Sequence, residues 1–109
     1  MLKVQVSLMK RKLYVYKENK LLRSYSIAIG KEISPTPVGN YKVLKKYRLD
    51  KLDHSKRCIE FFKDYGIAGT LDEENLGKAV SAGDIVMNSK DIVEFHNLIR
   101  VGTQLEIEY

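Results

Sequence analysis

The chain has 109 residues, 44% of them hydrophobic and 30% charged, with only two prolines, which excludes a disordered or linker-like polymer and points to one folded domain. A domain of this length buries roughly two-thirds of its unfolded surface, enough for one modest core. Nineteen Lys and Arg against 14 Asp and Glu give a net charge of +5 and an isoelectric point near 9.3, a balance that favours anionic partners without identifying one.

The basic residues gather at Lys10-Arg11-Lys12, Lys45-Lys46-Tyr47-Arg48 and Lys56-Arg57. They read as solvated strand ends and turns rather than as a nucleic-acid footprint, because no nucleic-acid motif accompanies them. Cys58 is the one cysteine, so neither an intrachain disulfide nor a C-x-x-C metal pair is available. Met1 to Leu8 alternate in polarity and run into Lys10, Arg11 and Lys12, which is too short and too polar for a secretory leader. The expectation is a cytoplasmic chain as written, or a cell-envelope one if a leader was removed. No stretch approaches the roughly twenty apolar residues of a membrane span.

In chain order, Leu2, Val4, Val6 and Leu8 share one face of a strand, and Leu13 to Tyr16 form a second. The polar turn Lys17-Glu18-Asn19-Lys20 closes a hairpin onto Leu21, Leu22, Tyr25, Ile27 and Ile29, ending at Gly30. Ser34-Pro35-Thr36-Pro37-Val38-Gly39 holds both prolines and predicts a stiff loop. Tyr41 and Val43 resume a strand, and the polar run from Lys45 to Arg57 is expected to be a long connection. Cys58 to Phe62 and Tyr65 to Thr70 are further strands. A helix is expected after the N-cap Asn88, with Asp91 three residues on and Ile92, Phe95 and Ile99 on one face. Gly102 stops it, and Leu105, Ile107 and Tyr109 alternate in a final strand. These elements predict a mainly β domain, 1–109, with about seven strands and one helix.

The order of these segments resembles the bacterial L,D-transpeptidase catalytic domain family, which cross-links peptidoglycan. The resemblance is carried by Leu13-Tyr14-Val15-Tyr16, Ile29-Gly30-Lys31, Pro35-Thr36-Pro37-Val38-Gly39, Gly66-Ile67-Ala68-Gly69-Thr70, Leu76-Gly77, Ser81-Ala82-Gly83-Asp84-Ile85-Val86-Met87, Asp91-Ile92 and Gly102-Thr103-Gln104-Leu105-Glu106-Ile107. It implies a β sandwich or barrel-like core with the catalytic loop at one rim.

In that family a cysteine thiolate attacks a stem-peptide carbonyl and a histidine draws off the thiol proton. The resemblance puts Asp84 in the cysteine's place, Ala82 and Ala68 where histidines stand, and Val86 in place of an arginine. A carboxylate attacking an amide would have to form an anhydride, and without imidazole nothing is positioned to protonate the leaving amine. Loss of several members of a coupled catalytic set leaves only binding and orientation. The resemblance therefore implies a catalytically inactive module, with Gly69, Thr70, Ser81, Gly83 and Asp84 as its candidate binding positions and a peptidoglycan-type peptide or a protein as its partner. Gly69 and Gly83 also read simply as tight-turn residues.

Other candidates have plainer readings. Cys58, four residues after His54, would suit a relocated nucleophile only on a helix, whereas it opens an apolar strand and reads as a small buried hydrophobe. His96 reads as a partly exposed helical histidine. Asp72, Glu73, Glu74 and Asp84 lack the alternating spacing of a calcium loop and read as turn or helix-start acids, so neither metal nor cofactor is expected. Tyr14, Tyr16, Tyr25, Tyr41, Tyr47, Tyr65 and Tyr109 read as strand packing residues with hydroxyls at the rim rather than as a sugar-binding groove. Two rival functions stand beside the inactive module: a divergent L,D-transpeptidase or hydrolase using Asp84 with an acid from elsewhere, and a basic nucleic-acid-binding domain.

Overall fold

The computed structural model describes residues 1–48, 57–70 and 73–109. Ten strands, a 3₁₀ turn and one α-helix follow in the order β1 (Leu2–Ser7), β2 (Lys12–Lys17), β3 (Lys20–Gly30), β4 (Gly39–Lys42), β5 (Lys45–Arg48), β6 (Arg57–Phe62), β7 (Tyr65–Thr70), the 3₁₀ turn (Glu73–Asn75), β8 (Ala79–Ser81), β9 (Ile85–Asn88), α1 (Ser89–Leu98) and β10 (Gln104–Glu108). The hydrogen-bonded order is β4-β10-β1-β2-β3-β9-β7-β6-β5, with β8 pairing beside β3. This is a single curled sheet, open between β4 and β5.

β3 makes the curl possible. Over its 11 residues it pairs with β2 from Lys20 to Ser26, and then with β9 at Ile27 and Ala28. The two halves of the sheet thus share one strand, and alternate residues of both halves point inward: Val4, Val6, Leu13, Val15, Ile27, Ile59, Ile67, Ile85 and Met87 are all fully buried. The helix closes this core with Ile92 and Phe95, also fully buried. Its start is held by the Asn88 side chain, which accepts from the Lys90 amide at 2.7 Å.

Four expectations are corrected. Lys45 to Arg48 form an edge strand paired with β6 rather than the start of a long connection, because Lys46 and Tyr47 are half-buried against the sheet while Lys45 and Arg48 face out. The described residues carry ten strands rather than about seven, as several are only three or four residues long and show too little alternation to be recognised. Arg57, counted in a solvated basic cluster, is 4% exposed and donates to Asn97 Oδ1 at 2.8 Å. His96 is 8% exposed, because α1 turns it toward the β5 side of the sheet, where the charges of Lys46, Arg57 and Arg48 bear on it. Glu73 opens the 3₁₀ turn and Glu74 is exposed within it, whereas His54 and Asp72 lie outside the described residues.

Candidate functional site

The candidate positions assemble from three elements. In the antiparallel β6–β7 pair Cys58 lies opposite Ala68, and in the parallel β7–β9 pair Ala68 lies beside Val86. On the outer side Tyr47 pairs with Cys58. Register partners project to the same face of a sheet, so Tyr47, Cys58, Ala68 and Val86 form one row across four strands. All four are half-buried, while their neighbours Ile59, Ile67 and Ile85 point to the core and are fully buried.

At one end of this row the 82–84 turn joins β8 to β9. Ser81 Oγ donates to the Asp84 carbonyl at 2.5 Å and accepts from the Gly83 amide at 3.2 Å, which staples the turn. Gly83 has φ +117, and a Cβ there would stand 2.5 Å from the Tyr65 ring. Only glycine fits both the conformation and the contact. Gly69, by contrast, lies inside β7, so the tight-turn reading holds for Gly83 and is corrected for Gly69. Most of the segment from Ser81 to Met87 is likewise strand, with loop confined to 82–84.

The Asp84 side chain is exposed, yet it is engaged: Oδ1 accepts from the Gly66 amide at 2.9 Å. The proline-rich loop borders the same turn. Thr36 is buried, and its Oγ1 accepts from the Gly30 amide at 2.9 Å. The Lys31 amide donates to the Ser81 carbonyl at 2.9 Å. Ser81, Gly83 and Asp84 therefore meet at one place, with Ala82 exposed at its tip and Thr70 at the far end of β7.

Cys58 joins the row across strands, opposite Ala68 of β7 and Tyr47 of β5. The Tyr47 hydroxyl is pushed up to about 12, first by its interaction with the Cys58 sulfur and then by burial. Burial raises the Cys58 thiol above its ordinary value, the Tyr47 bond opposes this, and the Asp84 and Glu60 charges raise it further. A thiol so placed is held protonated rather than activated. Tyr47 is the site residue that the sequence concealed, since it stands within a basic run. No local signal marked it, because Lys45-Lys46-Tyr47-Arg48 shows no polar–apolar alternation. Among the described residues no three His, Cys, Asp or Glu side chains are grouped to hold a metal ion, and no helix is long and apolar enough to cross a membrane.

A mainly β, curled half-barrel sheet with one helix is the L,D-transpeptidase fold. The chain belongs to the YkuD L,D-transpeptidase catalytic domain family, which it matches over residues 2–107. It is 32% identical over 106 residues to the putative L,D-transpeptidase YkuD of Bacillus licheniformis, covering 96% of this chain and 64% of that protein, so it spans less than two-thirds of this curated relative. An L,D-transpeptidase structure from Mycobacterium smegmatis superposes with a TM-score of 0.89 at 15% identity, over 99% of this chain and 58% of that one. The catalytic domain of the E. faecium L,D-transpeptidase superposes with a TM-score of 0.84 at 20% identity, over 99% of this chain and 97% of that one. At these identities the two structures speak for the fold alone.

Proposed function

We propose that this domain is a catalytically inactive L,D-transpeptidase-like module that binds, at the 81–84 turn and the outer face of β7, either a peptidoglycan-type peptide or a protein partner. The observation that carries this reading is the bond from the Gly66 amide to Asp84 Oδ1: where the family resemblance implies a nucleophilic sulfur, this chain has a carboxylate fastened to the backbone. Ala68 and Ala82 supply no group that can move a proton, and Val86 supplies no charge. Cys58 is no substitute, because its thiol is held protonated and the side chain opposite it is the methyl of Ala68. Ala82 is exposed, and Gly69, Thr70 and Ser81 are half-buried beside it, which leaves them accessible for contact with a ligand.

The test is incubation of the purified protein with a stem-peptide donor and, separately, with a carbapenem, followed by intact mass measurement and peptide mapping. The expected result is unmodified protein, with saturable, non-covalent shifts of the Gly69 to Thr70 and Ser81 to Asp84 amides on titration with the stem peptide or with a protein partner. An acyl adduct on Asp84 or Cys58 would overturn the reading.

A further inference from the structure

A groove of about 750 Å³ lies between the C-terminal end of α1 and the strands β1 to β3. Its floor includes Leu2, Leu22 and Leu98, which are half-buried and packed against the core. Around it stand Lys17, Lys42 and Arg100, all exposed, and no Asp or Glu lines it. Among the described residues none of these three side chains has a hydrogen bond or ion pair with an acid.

The rim is preformed: the Gly102 amide donates to the Val43 carbonyl at 2.7 Å, and the Arg100 amide donates to Thr103 Oγ1 at 3.3 Å.

We infer that this groove binds a single-chain anionic amphiphile of the acyl carboxylate class. Lys42 and Arg100, with Lys17 beside them although its charge also reaches Glu18, attract an anionic head group, and a guanidinium presents a fork that matches a carboxylate. The leucine floor takes the apolar chain. The volume is that of a small-molecule site, too small for a folded partner. The inference is independent of the state of the Asp84 turn, so either reading can fail without the other.

The experiment is NMR titration of the full chain with octanoate, with acetate and the neutral octyl glucoside as controls. Octanoate is expected to bind saturably, shifting the Leu2, Val101 and Thr103 amides, and at least tenfold more tightly than either control. Arg100→Glu should weaken it about tenfold, the scale of one lost hydrogen bond to a charged group, and Lys42→Gln should weaken it less. Folding of each variant is checked by its amide spectrum, and Lys42→Gln together with a salt titration carries the test should Arg100→Glu fail to fold. Equal binding of octyl glucoside, binding unchanged by charge removal or salt, binding only to anionic vesicles, or no binding overturns the inference.

Discussion

Asp84 accepts a hydrogen bond from the buried Gly66 amide at 2.9 Å across the β7–β9 junction. Its carboxylate therefore completes the sheet where β9 begins. Replacing it with alanine leaves that amide without its acceptor, at a cost on the order of 1–2 kcal/mol. Asparagine keeps a carbonyl oxygen in place and should cost less than about 1 kcal/mol. Urea unfolding of the two variants checks the ranking, and equal stability of Asp84→Ala and wild type would contradict it.

Asp84→Cys places a sulfur where the family resemblance implies one and changes nothing else. With Ala68 and Ala82 unchanged, no imidazole is supplied at the two positions where the family resemblance implies histidines, to take the thiol proton or return it to the leaving amine. The variant is expected to show no cross-linking of stem peptides above background, as read by mass spectrometry of the products. Measurable turnover would mean that another group in the turn moves protons.

Cys58 should alkylate more slowly than a free cysteine at pH 7.5, because burial and the nearby carboxylates disfavour its thiolate. The Tyr47 hydroxyl favours the thiolate, so Tyr47→Phe should slow iodoacetamide further, by about threefold for one modest hydrogen bond. Asp84→Asn should act the other way. The pH profile of alkylation separates these effects from simple access. A wild-type rate above that of free cysteine would show an activated thiol.

His96 is held neutral. Desolvation first, then the charges of Lys46, Arg57 and Arg48, lower it from 6.5 to about 4, and among the described residues its buried Nε2 has no hydrogen-bond partner. The unfolded chain therefore binds a proton below pH 6.5 that the folded chain refuses until about pH 4. Stability is whole above the upper value and declines as pH falls through this window. The loss should be on the order of 1–2 kcal/mol, less than the full shift gives because part of the surrounding charge is screened by solvent. Urea midpoints at pH 7.5 and 4.5 check it, and His96→Gln should flatten the difference. A slope unchanged by that variant would assign the acid sensitivity elsewhere.

Alternation made β1, β2, the inward face of β3, and β10 legible from the chain alone, because each buries every second residue against one core. Asn88 and the 92, 95 spacing likewise marked the start and buried face of α1, since a cap and a one-sided helix are local properties, whereas its end falls at Leu98, short of Gly102. The family resemblance located the 81–84 turn through its glycines and the proline-rich segment. Local pattern could not reveal that Lys45 to Arg48 form an edge strand, that His96 and Arg57 are buried, or that Tyr47 meets Cys58. Each depends on which strand becomes a neighbour, a matter of sheet register between residues far apart in the chain. The sequence by itself determined a mainly β domain of this family. Tertiary structure alone decided that Cys58 faces a methyl, that Asp84 is tied to the backbone, and that three cations ring an apolar groove, because proximity in a curled sheet is set by long-range pairing that no local spacing encodes.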